Sequence, residues 1–485
     1  MFMVKTGKYV LSIGMEVHAE LLTQTKMFCR CPNAFGGKPN SRVCPVCLGH
    51  PGVLPVPNRK AIELVLKTAV ALHCVIPPRS VFYRKNYYYP DLPKGYQISQ
   101  YGLTNPIGYS GYLDVPTESG EKRVRIRRVH LEEDTGKLFH LPTGGSGVDF
   151  NRAGVPLMEI VTEHPPDLHT PEEAQAYAYF LRLVLLYLGV CDGKMEQGSF
   201  RVEPNISLAP EGESTLGIKT ELKNLGSFKA VLLGIRHEAE RMRQALDRGE
   251  TLRQETRGWD EERQESYVMR VKEYEEDYRY FPDPDLPPLI FTPEGIEEIR
   301  ASLPELPMAK LRRYKEEMGL SDYDARLLIE DPAWAGFFEE AVALGGEPKP
   351  ICNWMNGDMT RLLHERSLTL AKCKVKPQHL VTLTQLIASG RISGKIAKEV
   401  FEKTFETGES PDVIVQREGK QQISDEAFLR KVVSEVLNQN GDAVEKYRAG
   451  KSGVLGFLVA QVMKKTQGQA NPEVVNRLLK EELEK

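Results

Sequence analysis

Apolar and polar residues alternate through YVLSIGMEVHAEL, residues 9–21, the period of a half-buried strand. Met15, Val17 and Ala19 fall on one side and Glu16, His18 and Glu20 on the other. The alternation returns in FRVEPNISL, where Phe200, Val202, Ile206 and Leu208 oppose Arg201, Glu203, Asn205 and Ser207. It returns again in GIKTELKN, with Lys219, Glu221 and Lys223 on the polar side. Between these segments the period changes. NRKAIELVLKTAVALHC carries apolar residues at helical spacing behind Asn58, a suitable N-cap. PEEAQAYAYFLRLVLLYLGV predicts a second helix, with Pro171 in its first turn and Gly189 at its end. SFKAVLLGIRHEAERMRQALDRGE predicts a long amphipathic third.

Strands and helices do not follow one another regularly, so the fold class predicted is α+β on a mostly antiparallel sheet. The Pro-rich YFPDPDLPPLIFTPEG, residues 280–295, reads as a boundary, and beyond it the strand signals stop. A second linker falls at TGESPDV, residues 407–413. The expected organisation is a cradle domain over 1–293, an all-α domain over 294–406 and a small all-α tail over 407–485.

Composition narrows the class. Hydrophobic content of 41% and charged content of 27% suit a soluble globular protein. A net charge of -3 excludes a polycation, so any nucleic-acid contact must come from local patches. The most apolar run, FLRLVLLYLGVC, is too short to span a bilayer and contains Arg182. The N-terminus shows no secretory pattern. A cytoplasmic protein without a membrane role is expected.

Four of the eight cysteines crowd into FCRCPNAFGGKPNSRVCPVC, residues 28–47. Cys29 and Cys31, then Cys44 and Cys47, form two close pairs separated by a loop, the pattern of a tetrahedral Zn²⁺ knuckle. Four unliganded thiols or a redox Cys-x-x-Cys are the competing readings. A closed four-thiolate site leaves no open position for substrate, so this cluster is a poor reacting centre.

The carboxylates are the alternative. The polar faces above, with Glu132, Glu133 and Asp134 of RVHLEEDTGK and Glu196 of GKMEQGS, would form an acidic cup if the sheet gathers them. A gathered set repels unless a cation compensates, and carboxylate oxygens suit Mg²⁺. Separate solvated strand faces are the other reading. No P-loop is present: RAGKSG at 448–453 lacks the upstream glycine and the preceding strand. In the tail, residues 446–465 carry Lys446, Arg448, Lys451, Lys464 and Lys465 and no acid, a basic loop feeding a helix that either contacts phosphates or is plain solvated surface.

IGMEVHAEL, PGVLPVPN, RKNYYYPDLPKGYQISQY, HLEEDTGK, DFNRAGVPLMEIVTE, ELKNLGSF and MRVKEYEEDYRYFPDPDLPP occur in this order. They resemble the B subunits of the bacterial glutamyl/aspartyl-tRNA amidotransferases, the GatB family, and the tail is similar to that family's tRNA-binding tail. The resemblance covers essentially the whole chain. It implies ATP-dependent phosphorylation of the side-chain carboxylate on Glu-tRNA(Gln) or Asp-tRNA(Asn), followed by displacement of phosphate by ammonia. The ammonia would come from a glutamine-hydrolysing amidase partner, with a small third partner fastening the two together as a heterotrimer. By the same resemblance Glu16, His18, Glu133 and Glu221 bind Mg²⁺, and Glu196 and Glu203 are further catalytic candidates. Lys85, Tyr87, Tyr88 and Lys94 are expected along the aminoacyl end or the ammonia route. The cysteines match zinc-bearing members; other members lack them, which implies a structural Zn²⁺. The rival from another class is a non-catalytic, zinc-stabilised tRNA-binding scaffold.

Overall fold

The structure is a computed structural model that describes residues 8–103, 105–141, 144–213, 215–271, 277–419, 425–451, 453–466 and 469–484. It forms two compact units, residues 1–309 and 310–485.

The first unit is built on an eight-stranded sheet. Its strands in chain order are β1 (Tyr9–Glu20), β2 (Gly108–Thr117), β3 (Gly120–Glu133), β4 (Pro156–Thr162), β5 (Phe200–Pro210), β6 (Lys219–Lys223), β7 (Glu255–Asp260) and β8 (Glu265–Val271). Their spatial order is β8-β7-β6-β5-β1-β4-β3-β2. Every neighbouring pair is antiparallel except β6 and β7. The α+β expectation therefore holds, and the first strand of the chain lies inside the sheet.

Three helices form where the periodicity changes: α1 (Arg59–Ala71), α2 (Pro171–Tyr187) and α3 (Phe228–Asp247). Asn58, Thr170 and Ser227 cap them, their side chains accepting from the backbone N–H of Ala61, Glu173 and Ala230. Such a cap is worth about 1 kcal/mol. Helix α1 packs on β2 and β3, α2 on β1 and β2, and α3 on β5 and β6. They cover the apolar parity of the strands: Met15, Val17, Ala19, Val202 and Ile206 are all buried. One layer of helices thus fixes which sheet face is dry and leaves the other to the polar residues.

A small three-stranded sheet joins Phe281–Pro282, Tyr83–Asn86 and Tyr96–Ser99. The Pro-rich stretch thus belongs to the first unit: Leu289–Ile290 also pairs with Arg79–Ser80, and the helix Pro293–Ala301 packs against α1.

Among the described residues the second unit has helices and no strands. The helix Pro411–Glu418 packs on Pro377–Ala388 and Gly394–Thr407. A separate core gathers Leu429, Val433, Leu458, Val462, Val475, Leu478 and Leu479. Leu455 and Val459 pack at its edge.

Candidate active site

On the open face of the sheet, register brings the polar positions together. Glu16 on β1 stands opposite Glu203 on β5, and Asn205 opposite Glu221 on β6. On the other side of β1, His18 stands opposite Glu159 on β4, which in turn faces His130 on β3.

Two clusters result. In the first, carboxylate oxygens of Glu16, Glu203 and Glu221 all lie within 4.8 Å of one another. Lys223 Nζ lies 2.7 Å from Glu203 Oε2 and 3.2 Å from Glu221 Oε1. Asn205 Nδ2 donates to Glu16 Oε1 at 3.0 Å, and Thr256 Oγ1 to Glu221 Oε2 at 2.8 Å. Burial, then the charges of Glu159 and Glu203, push the Glu16 carboxyl above its usual range.

The second cluster holds His130, Glu132 and Glu159. His130 Nε2 lies 2.7 Å from Glu159 Oε2 and 3.5 Å from Glu132 Oε2. Burial works against the imidazolium, but Glu159 and Glu132 outweigh it and raise His130 to about 8. His18 Nε2 is 3.7 Å from Glu132 Oε1 and 3.6 Å from Glu159 Oε1, beyond hydrogen-bond reach. His18 Nδ1 and His130 Nδ1 are buried without a hydrogen-bond partner.

Both clusters line one cavity of about 810 Å³ together with Lys85, Tyr87, Arg127, Arg128, Lys219, Lys223, Tyr278 and Tyr280. Crowded carboxylates, one of them pushed toward protonation, with an imidazole held just out of reach of two acids, could hold a divalent cation. The residues present fit Mg²⁺.

Of the expected site residues, Glu16, His18, Glu203 and Glu221 come together. Glu133 does not join them. It follows Glu132 along β3 and so has the opposite parity. Its carboxylate receives Lys94 Nζ at 2.5 and 2.6 Å and the Ile98 N–H at 3.0 Å. Glu133 and Lys94 line a separate cavity of about 200 Å³ beside Cys29, Cys47 and Tyr96. Glu196 is exposed and lines a third cavity, which shares Glu203 and Lys223 with the first. Lys85 and Tyr87 line the carboxylate cavity, whereas Tyr88 is 90% exposed and does not. Sequence reasoning missed His130, Arg128 and Glu159; it placed Glu132 in the acidic cup but carried the cation role over onto Glu133. Glu159 had a signal: it is the one charged residue in PLMEIVT, an otherwise apolar strand apart from its final Thr162.

The four cysteines converge as expected, with sulfurs within 4.8 Å of one another. A Zn²⁺ tetrahedron with bonds near 2.3 Å has edges of about 3.8 Å, so the cluster fits a closed metal knuckle. The Cys44 N–H donates to Cys47 Sγ at 3.2 Å. Gly36 and Gly37, at φ +72° and +88°, turn the intervening loop. Asn40 Nδ2 donating to Val148 O at 3.0 Å and Asn151 Nδ2 to Lys38 O at 2.8 Å pin that loop to the body of the unit.

The basic residues of the tail are not equivalent. Lys446 and Lys451 line one groove with Phe457. Lys465 pairs with Glu435 Oε2 at 2.6 Å, Arg448 Nε donates to Leu483 O at 3.4 Å, and Lys464 is exposed.

Residues 11–297 match the GatB/GatE catalytic domain and residues 336–483 match the GatB domain. Several relatives are named as the B subunit of aspartyl/glutamyl-tRNA(Asn/Gln) amidotransferase. That of Thermodesulfovibrio yellowstonii is 49% identical over 472 residues, covering 97% of this chain and 98% of the relative. That of Caldanaerobacter subterraneus is 50% identical over 478 residues, covering 99% and 100%. That of Persephonella marina is 50% identical over 470 residues, covering 97% and 98%. The chain belongs to the family of aspartyl/glutamyl-tRNA(Asn/Gln) amidotransferase B subunits, glutamine-dependent enzymes of the ligase class.

Proposed function

We propose that the carboxylate cavity is where Glu-tRNA(Gln) or Asp-tRNA(Asn) is amidated in two steps. A carboxylate does not accept an amine directly, because hydroxide is a poor leaving group. Transfer of the γ-phosphoryl group of ATP to the side-chain carboxylate supplies a good one, and ammonia then displaces phosphate. Glu16, Glu203 and Glu221, with His18, Glu132 and Glu159, would hold Mg²⁺. The ion supplies charge neutralisation at the phosphates.

The chain's own groups do the rest. Lys223 offers an ammonium beside the carboxylates, positioned to meet phosphoryl oxygens. Buried His130 fixes Glu159 and Glu132 on the cavity wall. The cysteines stay outside the chemistry and brace their loop through a structural Zn²⁺. The observation that carries this reading is the convergence of two carboxylate clusters from separate strands on one cavity. A tRNA-binding scaffold has no use for it.

The partners proposed are an amidase that supplies ammonia, a small protein that fastens it to this chain, and the misacylated tRNA, all cytoplasmic. Among the described residues no helix is long and apolar enough to cross a membrane. The proposed organisation keeps a catalytic cradle, a helical domain and a tRNA-binding tail, the tail built on the core around Leu429 and Leu478. The test is co-expression with both partners, followed by identification of the amino acid on the tRNA after incubation with ATP, Mg²⁺ and glutamine. Glutamate or aspartate left unchanged on both misacylated tRNAs refutes the reading.

A further inference from the structure

The carboxylate cavity has a second kind of wall that the amidation chemistry does not use. Tyr101 and Tyr280 stack with ring centroids 4.2 Å apart and planes 14° from parallel. Tyr83 meets Tyr101 edge-on at 6.0 Å, and Tyr278 meets Tyr280 edge-on at 6.1 Å. Tyr101, Tyr278 and Tyr280 all line the cavity. Tyr101 remains 52% exposed although one of its faces is covered by Tyr280. An aromatic face left open beside a charged cavity is a stacking surface for a planar ring.

Its surroundings specify what hangs from that ring. Lys85, Arg127 and Lys219 line the same cavity. None of the three side chains has a hydrogen bond or ion pair with a described residue; Lys85 Nζ lies 4.7 Å over the Tyr278 ring. Open aromatic face, uncommitted cations and a carboxylate set suited to a divalent ion together match a base, its phosphates and their counter-ion. An apolar ligand would use only the first of these.

The platform is held rigidly. Arg279, between the two tyrosines, has φ +42°, a conformation a non-glycine residue keeps only where its surroundings impose it. The Arg279 N–H donates to Asp277 Oδ1 at 3.0 Å, and Asn86 Nδ2 donates to Arg279 O at 2.7 Å. The Asn86 N–H donates to Tyr278 O at 3.0 Å. The small three-stranded sheet thus carries Tyr83 and places Tyr278 and Tyr280.

We propose that the tyrosine cluster is an adenine platform with Tyr101 as its stacking face, and that Lys85, Arg127 and Lys219 receive the attached phosphates. It rests on the ATP-dependent amidation proposed above. Two substrates of that reaction bring an adenine: ATP and the terminal adenosine of the tRNA.

The experiment uses the full chain co-expressed with its amidase and small fastening partners. KM is measured for ATP at saturating aminoacyl-tRNA, and for aminoacyl-tRNA at saturating ATP, in wild type, Tyr101→Ala and Tyr101→Phe. Loss of a stacked base is expected to raise one KM about tenfold. A rise for ATP assigns the platform to the nucleotide, and a rise for aminoacyl-tRNA assigns it to the tRNA end. Tyr101→Phe should return that KM to within about twofold of wild type, because the ring and not the hydroxyl does the binding. Both constants unchanged in Tyr101→Ala, or Tyr101→Phe as impaired as Tyr101→Ala, overturns the proposal. If Tyr101→Ala does not fold, Tyr101→Trp replaces it, with the same KM expected unchanged or lower; a tenfold rise overturns the proposal. Amide formation by wild type without ATP would refute the ATP-dependent reading instead, and the KM for aminoacyl-tRNA would still test the platform.

Discussion

Changing Glu16 to Gln keeps the shape of the side chain and leaves an oxygen to accept from Asn205 Nδ2, but removes one charge from the cation set. The size of the effect follows from the geometry. Carboxylate oxygens of Glu16, Glu203 and Glu221 lie no more than 4.8 Å apart, so an ion among them sits about 2.8 Å or less from each. One unit charge against a divalent ion at about 2.8 Å is worth about 3 kcal/mol even at the dielectric constant of water. Burial strengthens this attraction, while the proton that the raised Glu16 carboxyl gives up on binding works against it. The predicted result is a cation affinity weaker by roughly a hundredfold. Titration of Mn²⁺, followed by the loss of its free-ion paramagnetic resonance signal, reads the affinity without turnover. The Mg²⁺ concentration for half-maximal amidation should move with it, while tRNA binding stays unchanged. Glu196→Gln is the control, because Glu196 lines another cavity. Equal Mn²⁺ affinity in wild type and Glu16→Gln would remove Glu16 from the cation site.

Elemental analysis of freshly purified protein should find about one Zn²⁺ per chain, and Cys47→Ser should lower both the zinc content and the thermal midpoint; a metal-free protein of equal stability refutes the zinc assignment. Burial opposes the Asp134 carboxylate, but the charges of Arg201 and Arg152 and the Arg201 hydrogen bond at 2.8 Å outweigh it and hold Asp134 down at about 2. The folded pKa lies below the ordinary 3.8, so this stabilisation is fully present above that pH and disappears as pH falls through about 2. Asp134→Asn should therefore cost about 2 kcal/mol at pH 7, with the denaturation midpoints of the two proteins converging toward pH 2. Equal stability at neutral pH would refute it. Truncation after Gly419, which spares the helix packed on Gly394–Thr407, should weaken tRNA binding about tenfold in a filter-binding assay; unchanged affinity would clear Lys446, Arg448, Lys451, Lys464 and Lys465 of a role in binding.

The alternation of β1, β5 and β6 was legible in the sequence because one dry face imposes a period of two on every strand. That is why Glu16, His18, Glu203 and Glu221 could be named from pattern and resemblance together. What pattern could not supply is which strands lie side by side. Glu132 and Glu133 are indistinguishable in HLEED, yet one step along β3 places one with the His130 cluster and the other against Lys94. Glu159 was hidden for a related reason. An apolar strand with one acid reads as core, and only the pairing of β4 with both β1 and β3 shows that the acid has two histidines waiting for it. The Pro-rich stretch at 280–295 showed no strand in the sequence pattern, yet proline suits a short edge strand, which is how Phe281–Pro282 is used.

The inside position of β1 also has a meaning for how the protein is made. Both neighbours of this strand come from far downstream, Pro156–Thr162 and Phe200–Pro210. On the ribosome β1 emerges before both; one of its edges can pair only once Pro156–Thr162 has been synthesised and the other only after Phe200–Pro210, a long-range closure of the kind that slows folding and exposes chains to aggregation. A nascent chain ending at Pro210 still lacks the three-carboxylate cluster, since Glu221 lies further on, in Lys219–Lys223. Cation binding at the proposed site would therefore report that β1, β5 and β6 have come together, and a time-resolved measure of it would date that step during synthesis.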